Sequence, residues 1–232
     1  MSICFIDYRA TKEEINNLKK LGHEVIKVPK CDNLYEAIDG HPDIQIHITS
    51  QKKIIIHPNM NKDFIKELES LNLSFSFSEE KLEKKYPKNI YLNAISTKEY
   101  FIHNLNYTSK NLINENKDKT LINVKQGYTK CSTAVINNNS IITSDKGIFN
   151  KLISYNFDVL LIPAGNILLP GLNYGFIGGC CGVLPKNKIT FFGSLEKYPY
   201  KDEILKFLSK KNLEPIYLSN SPLIDRGSLL VL

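Results

Sequence analysis

The chain has 232 residues, of which 42% are hydrophobic and 23% charged, with 30 basic against 24 acidic residues. This composition excludes a disordered chain, and no apolar run approaches the roughly 20 residues that a membrane helix requires. The first residues lack the basic segment of a signal peptide, so we expect a soluble cytoplasmic protein without membrane contacts.

The predicted elements repeat along the chain. The N-terminal segment predicts a strand over 2–7, a helix over 11–21 and a strand over 24–28. Four further stretches, starting near residues 43, 89, 131 and 180, each predict two short strands, a helix and a third strand. In chain order these are strands 44–48 and 54–56 around a turn at Gln51-Lys52, helix 62–71 and strand 73–77; strands 90–93 and 100–103, a weak helix 109–116 and strand 121–124; strands 132–136 and 140–143, a helix capped at 144–145 and strand 158–163; and strands 182–184 and 189–192, helix 201–211 and strand 215–218.

The two ends of the chain complete a fifth copy. Residues 227–232 predict the first strand that the N-terminal copy lacks. Because one such unit cannot bury its apolar face alone, a copy divided between the termini indicates a closed ring rather than an open solenoid. We therefore predict an α/β fold in one domain over residues 1–232. Its five strand-strand-helix-strand (ββαβ) units form a five-bladed propeller around a pseudo-fivefold axis.

Five such units resemble the pentein fold, the α/β propeller of guanidino-group-modifying enzymes. The segments Val-Lys-Gln-Gly-Tyr-Thr-Lys-Cys-Ser at 124–132 and Gly-Phe-Ile-Gly-Gly at 175–179 are similar to a clostridial-type group of bacterial proteins of that fold. Members with known activity include arginine deiminases, dimethylarginine hydrolases and amidinotransferases.

The resemblance implies a set of catalytic groups. A cysteine thiolate near the carboxyl end attacks the guanidinium carbon, a histidine moves protons, and two carboxylates hold the cation. At the corresponding place, residues 225–229, this sequence has Ser228 and no cysteine. The thiolate step therefore has no counterpart at that position.

First strands of such a ring begin near its axis, so the residues at their starts can converge on one central cleft. We take His41, Cys131 and Ser228 as catalytic candidates, and six further residues as candidates for substrate binding: Asp43, Asn89, Lys130, Cys180, Asp225 and Arg226. The strongest local cluster is 39–43, where a carboxylate and an imidazole on a proline-stiffened loop can hold a cation or relay a proton. The alternative is a turn whose side chains bond their own backbone.

The cysteine candidates have alternatives too. Cys131 follows Lys130, whose ammonium can lower a thiol pKa, but adjacent strand residues point to opposite faces and a free cysteine can simply fill the core. Cys180 follows two glycines, which admit either a ligand or a packed backbone. The loop over 164–174 is the longest outside the repeats and suits a lid or a contact surface.

The sequence predicts no metal site and no cofactor. Five cysteines without a Cys-x-x-Cys or His-x-x-x-His pair argue against a disulfide framework and against structural zinc. No glycine-rich phosphate-binding pattern follows a strand, so nucleotide binding has no support. The remaining histidines share no spacing and are expected to be surface or satisfied core residues: His23, His47, His57 and His103.

Two classes of function remain. The first is a protein that binds a small guanidine- or amine-bearing ligand in the central cleft and, if it is an enzyme, hydrolyses a C–N bond of a guanidine-like compound. The second is a non-catalytic binding protein, similar to the ribosome anti-association factor of the same fold, which the missing cysteine and the net charge of +6 favour. Only two of the 30 basic residues are arginines, which weighs against a nucleic-acid or ribosome surface without excluding it. Catalysis and oligomeric state stay open.

Overall fold

The structure is a computed structural model that describes residues 2–49 and 52–232, and over these residues the chain forms five sheets of three strands each. The strands are β1 (Ile3–Asp7), β2 (Glu24–Val28), β3 (Ile46–Ile48), β4 (Ile54–Ile56), β5 (Phe75–Phe77), β6 (Ile95–Ser96), β7 (Tyr100–His103), β8 (Thr120–Asn123), β9 (Thr133–Asn137), β10 (Ser140–Thr143), β11 (Asp158–Leu161), β12 (Cys181–Leu184), β13 (Lys188–Phe191), β14 (Glu214–Tyr217) and β15 (Leu230–Val231). The α-helices are α1 (Lys12–Lys20), α2 (Pro42–Gln45), α3 (Lys62–Ser70), α4 (Lys110–Asn114), α5 (Lys146–Ile153) and α6 (Lys201–Lys210). Short 3-10 turns cover Glu36–Ile38, Leu105–Tyr107, Gly178–Cys180 and Leu195–Lys197.

All five sheets have the same topology. In each, the first strand runs antiparallel to the middle strand, and the third strand runs parallel to the middle strand after a helical crossover. The sheets are β15-β1-β2, β3-β4-β5, β6-β7-β8, β9-β10-β11 and β12-β13-β14. The predicted ββαβ unit thus occurs five times, which confirms the five-bladed α/β propeller.

The termini close the ring as predicted. Strand β15 pairs antiparallel with β1, so that Cys4 lies opposite Val231. The N–H of Leu232 donates to the Ile3 oxygen at 2.9 Å, and the N–H of Ile3 donates to the Leu232 oxygen at 3.1 Å. Leu229, just before β15, is buried at this seam in one apolar cluster with Cys4 and residues of the preceding blade.

Capping residues set where the crossover helices begin. The Thr11 side chain accepts a hydrogen bond from the N–H of Glu14, and the Glu14 carboxylate accepts one from the N–H of Thr11 at 2.7 Å. Asp145 caps α5 by accepting from a backbone N–H in the first turn. Helices α3, α5 and α6 each bury an apolar stripe, such as Phe64 and Leu68 of α3, which pack with β4. None of the described helices is long and apolar enough to cross a membrane.

The middle strands are buried on both faces. Ile54 and Ile56 of β4 pack in one cluster with α3, whereas Ile55 packs with Leu92 and Phe101 of the next unit. Alternate side chains of one strand point to opposite faces and therefore serve two neighbouring blades. This double burial explains why these strands are continuous apolar runs in the sequence.

Three first strands begin two or more residues later than the sequence pattern predicts, and one of them is β15, which starts at Leu230 rather than at residue 227. Pro42–Gln45 form the short helix α2, since Pro42 suits a first helical position, and β3 begins only at Ile46. Residues 90–93, predicted as a strand, form turns, and β6 begins at Ile95. The turns bring Asn93 to the axis, where its side chain accepts from backbone N–H groups of another blade. In the predicted turn at Gln51-Lys52, Gln51 lies outside the described residues.

His103, at the end of β7, is a fully buried histidine with both ring nitrogens in hydrogen bonds. Its Nε2 lies 3.0 Å from the carbonyl oxygen of Gly127, which can only accept, so Nε2 carries the proton. Its Nδ1 lies 2.7 Å from the Thr108 hydroxyl, which also lies 3.0 Å from the carbonyl oxygen of Asn104. Burial lowers the pKa of His103 to about 4, so the folded chain holds this ring neutral.

We expect Leu229→Ala to lower the free energy of unfolding by about 2–5 kcal/mol, because the change leaves a cavity at the seam of the ring. Leu168→Ala removes the same atoms from a side chain that is 52% exposed, and should change that free energy by less than about 0.5 kcal/mol. Urea unfolding of both variants measures the difference. Equal effects would contradict the role of Leu229 at the seam.

We expect His103 to make the protein less stable on acidification between pH 6.5 and about 4. In that window the unfolded chain binds a proton at His103 and the folded chain does not, so the free energy of unfolding falls by about 1.4 kcal/mol per pH unit. Urea unfolding of His103→Gln should therefore depend less steeply on pH than that of the wild type. His23→Gln, at a half-buried histidine, should change the slope less; identical slopes for His103→Gln and wild type would refute the prediction.

Candidate functional site

Five segments meet at the ring axis and close a circle of hydrogen bonds. Each contributes one buried residue just before a first strand: Asp43, Asn93, Cys131, Gly179 and Ser228. Asn93 Nδ2 donates to the backbone oxygen of Asp43 at 3.0 Å, and the N–H of Cys131 donates to Asn93 Oδ1 at 3.3 Å. The N–H of Gly179 donates to the Cys131 oxygen at 3.0 Å, and the N–H of Ser228 to the Gly179 oxygen at 2.8 Å. The Ser228 hydroxyl donates to Asp43 Oδ2 at 2.6 Å and completes the circle, which we call the hub ring.

The Asp43 carboxylate is the negative centre of the hub ring. Besides the Ser228 hydroxyl, it accepts the thiol of Cys131, whose sulfur lies 3.0 and 3.1 Å from its two oxygens. Lys130 Nζ donates to Ser228 Oγ at 3.0 Å, so a positive charge lies one hydroxyl away from the carboxylate. These partners allow a charge to be buried here, since an unpaired buried carboxylate would be strongly unfavourable.

The Cys131 thiol is held in its protonated form. Burial raises its pKa well above the ordinary value, and the nearby charges of Asp43 and Asp225 raise that pKa further. The ammonium of Lys130, the activating neighbour suggested by the sequence, bonds Ser228 instead. A cysteine nucleophile needs a lowered pKa, so this environment does not suit thiolate attack.

Asp225 is a second buried carboxylate, held by backbone donors. It accepts the N–H of Phe176 at 2.8 Å and that of Gly227 at 2.9 Å. Burial is the main cause of its raised pKa, and the neighbouring His41 opposes that increase. A Cβ at Gly179 would overlap this carboxylate, so residue 179 has to be glycine for Asp225 to come so close. The sequence left open whether the glycines before Cys180 make room for a ligand or for packed protein. At Gly179 the space is filled by protein, namely the Asp225 side chain.

His41 lies between these acidic groups with an imidazole that has no hydrogen bond among the described residues. The ring is 1% exposed, and its Nδ1 lies 3.9 Å from Asp225 Oδ1. Ligand atoms of His41, Asp43 and Cys131 all lie within 4.8 Å of one another. A nitrogen, a carboxylate oxygen and a sulfur are thus gathered at one point, a set that can coordinate a metal.

Two cavities reach the hub ring, and they share no lining residue. The first, of about 350 Å³, is lined mostly by first strands and includes Asp43 and Lys130. The second, of about 270 Å³, includes His41, Cys131 and Asp225. Since Asp43 and Cys131 are in contact, the hub ring separates the two cavities.

Aromatic side chains form the walls of the second cavity, which we call the aromatic cavity. The hydroxyls of Tyr35 and Tyr128 lie 3.3 Å apart. The ring of Phe176 lies near Tyr128 and Tyr174, with centroids 6.5 and 6.4 Å away. Leu172 and Tyr174 are 49% and 44% exposed, so they mark the mouth of the cavity.

The loop over 164–174 forms one rim of the aromatic cavity. The N–H of Leu168 donates to the Leu223 oxygen, and the N–H of Asp225 donates to the Leu168 oxygen, both at 2.8 Å. Leu169 is buried against the segment that leads to α2. The middle of the loop is therefore fastened beside Asp225, while its end contributes exposed side chains to the mouth.

Three candidates from the sequence have side chains that contact neither the hub ring nor Asp225 (the backbone N–H of Arg226 donates to the Gly179 oxygen at 3.0 Å). Asn89 Nδ2 donates to the Lys84 oxygen at 3.2 Å, within its own loop. Cys180 is fully buried in an apolar cluster, and its thiol donates to backbone oxygens. Arg226 turns away toward α1, where its guanidinium lies 3.5 Å from the Glu14 carboxylate.

Two of the five hub residues, Asn93 and Gly179, are not among the sequence candidates, and of these Asn93 contributes a side chain. Asn93 is fully buried, and its amide bonds four groups from two other blades. Asn89 is a candidate in the sequence because the pattern predicts the first strand at 90–93, whereas that strand starts at Ile95. Counting back from the apolar pair at 94–95 would have pointed to Asn93.

A family model and solved structures place the chain among known folds. The model described as "Family of unknown function (DUF6873)" matches residues 5–230, so the chain belongs to that family. No curated protein matches the chain.

Solved structures with the same architecture are distant in sequence. A mutant DDAH from Pseudomonas aeruginosa complexed with citrulline has 10% identity and a TM-score of 0.56, over 94% of this chain and 91% of that one. The inosamine-phosphate amidinotransferase of Streptomyces griseus has 12% identity and a TM-score of 0.57, over 92% and 77%. The C. jejuni agmatine deiminase with substrate bound has 16% identity and a TM-score of 0.55, over 96% and 80%. The chain therefore has the pentein fold, as the sequence resemblance implied.

We expect Cys131 to resist alkylation in the native protein at neutral pH, because its thiol is buried and protonated. Iodoacetamide should label it roughly tenfold or more slowly in native than in urea-unfolded protein. Peptide mass spectrometry gives both rates, and the unfolded sample controls for detection of the peptide. Fast, selective labelling of Cys131 in the native chain would show that the thiol is activated after all.

Proposed function

We propose that this protein binds a small molecule with a guanidinium or ammonium group in the aromatic cavity. The observation that carries the proposal is the buried carboxylate of Asp225 in a cavity lined by aromatic and apolar side chains. A desolvated carboxylate attracts a cation strongly, and aromatic faces add about 0.5–2 kcal/mol of cation–π attraction. A volume of about 270 Å³ suits a small ligand.

Asp225 is the carboxylate that is available to a cationic ligand. Asp43 already accepts a hydroxyl and a thiol, and Lys130 lies close to it. Asp225 is held by two backbone N–H groups and has His41 at 3.9 Å. A bound cation would compensate the buried charge of Asp225 and so stabilise the folded chain.

Solved structures of the same fold support this chemical class. They include DDAH complexed with citrulline, an amidinotransferase and an agmatine deiminase with substrate bound. Agmatine carries a guanidinium group, and citrulline carries the neutral ureido group of similar shape. At 10–16% identity these structures support the class of ligand and not the role of any residue.

Hydrolysis of a C–N bond is the reaction to test on such a ligand. Water would add to the guanidinium carbon and ammonium or an amine would leave, which gives a ureido product. His41 has the position and chemistry of a proton carrier beside Asp225. The protonated thiol of Cys131 and the fully buried hydroxyl of Ser228 are weak nucleophiles, so neither side chain favours a covalent intermediate. The binding proposal stands whether or not the ligand is hydrolysed.

Agmatine and arginine should raise the thermal unfolding midpoint of the wild-type protein by several degrees. A ligand at 100 times its Kd adds about 2.7 kcal/mol, and each kcal/mol corresponds to about 2–4 °C in a chain of this size. Citrulline, which lacks the charge, should produce a smaller shift. Thermal melts at millimolar ligand, with an ammonia assay beside them, test both binding and hydrolysis.

Asp225→Asn should abolish the shift, because it removes the charge and keeps the shape of the side chain. Asp63→Asn, at a carboxylate that is 88% exposed on α3, is the matched control and should keep the shift. Flat melts with every cation, or a full shift in Asp225→Asn, would overturn the proposal.

A further inference from the structure

We propose that His41, Asp43 and Cys131 form a binding site for one zinc ion at the inner end of the aromatic cavity. This inference goes beyond the ligand-binding proposal and does not depend on it. The three side chains come from two blades, and each is no more than 2% exposed. Their ligand atoms all lie within 4.8 Å of one another. Among the described residues, these three form the one group of three or more His, Cys, Asp or Glu side chains that could hold a metal ion.

The spacing of the donor atoms is close to that of a tetrahedral site. Zinc bonds of about 2.0–2.1 Å to nitrogen or oxygen and about 2.3 Å to sulfur place the ligand atoms roughly 3.3–3.6 Å apart. Cys131 Sγ already lies 3.0 and 3.1 Å from the Asp43 oxygens. A movement of the imidazole by about 1 Å would bring its nitrogen into the same range.

His41 supplies an independent observation. Both of its ring nitrogens are buried, and neither has a hydrogen-bond partner within the described ranges. Buried polar atoms without partners are costly, and coordination would compensate one of these nitrogens. His57 also has two unpartnered buried nitrogens, but it belongs to no such ligand group in the described part of the chain. His41 therefore differs from His57 in having a carboxylate and a thiol, those of Asp43 and Cys131, beside its unpartnered imidazole.

Asp225 is placed to orient His41 as a zinc ligand. Metal-bound histidines commonly donate their other ring N–H to a carboxylate, which fixes the ring and its tautomer. Asp225 Oδ1 lies 3.9 Å from His41 Nδ1, which leaves Nε2 for the metal. Asp225 would therefore act on the site through His41.

The donor set favours zinc over magnesium or calcium. Imidazole nitrogen and thiolate sulfur suit zinc, whereas magnesium and calcium prefer oxygen ligands alone. Binding would release the Cys131 proton, and the charges of the thiolate and Asp43 would balance the two positive charges of the ion. Asp225 would stay the net negative group of the cavity. Three protein ligands leave the fourth coordination position of the zinc ion open. Because His41 and Cys131 line the aromatic cavity, that position would face the cavity.

Zinc titration of chelator-treated protein tests the site directly. We expect one zinc per chain, and an affinity lowered roughly 100-fold or more in His41→Gln and in Cys131→Ser. Asp225→Asn should lower it by roughly 10–100-fold, as loss of an orienting partner does. His57→Gln and Cys31→Ser change a buried histidine and a buried free cysteine elsewhere, and should bind zinc like the wild type.

Cobalt(II) gives a second readout of the same site, by absorption spectroscopy. The wild-type protein with cobalt should show a thiolate-to-cobalt charge-transfer absorption, and Cys131→Ser should lack it while Cys31→Ser keeps it. Absence of that absorption, absence of stoichiometric zinc uptake, or uptake unchanged in His41→Gln and Cys131→Ser would each overturn the inference. Unfolding curves without metal identify a variant that fails to fold. Thermal melts of chelator-treated protein measure ligand binding without zinc, so either proposal can fail alone.

Discussion

The hub ring is the constraint on which the rest of the structure depends. Apolar packing holds each blade against its neighbours, but it is non-directional and does not fix how five blades meet at an axis. The hydrogen bonds among Asp43, Asn93, Cys131, Gly179 and Ser228 provide that direction. A buried polar network rigidifies a fold only when its members are satisfied, so these hydrogen bonds hold the five blades at the axis, while the pairing of β15 with β1 joins the two ends of the chain.

The same constraint determines the chemistry of the site. Closing the ring buries the Asp43 carboxylate against Cys131, and the loop beside it brings in Asp225. Burial, and after it the negative charges of Asp43 and Asp225, raise the pKa of the Cys131 thiol and oppose formation of a thiolate. The two carboxylates are the buried negative charges at this centre. They also make the centre attractive to positive charge. The proposed guanidinium site at Asp225 and the proposed zinc site at Asp43 and Cys131 are both argued from this concentration of buried negative charge.

The elements that the sequence predicted well are those whose pattern is local. The hairpin of β12 and β13 turns at Lys186 and Asn187, both with left-handed φ, and its position follows from the turn residues and the flanking alternation. The failures lie at the axis. Residues 90–93 are apolar enough for a strand, but the contacts of Asn93 with another blade impose turns there, so tertiary contacts override local propensity.

The sequence by itself determined the five repeated units, their closure through the termini and the chain positions that approach the axis, because strand and helix periods and the order of units are written in neighbouring residues. Only the tertiary structure decided which atoms meet there. It selected Asn93 over Asn89, sent Arg226 to Glu14, and joined His41 and Asp43 to a cysteine of another blade. Side-chain direction, burial and pKa depend on groups that approach through space from distant parts of the chain, and no spacing along the sequence encodes them.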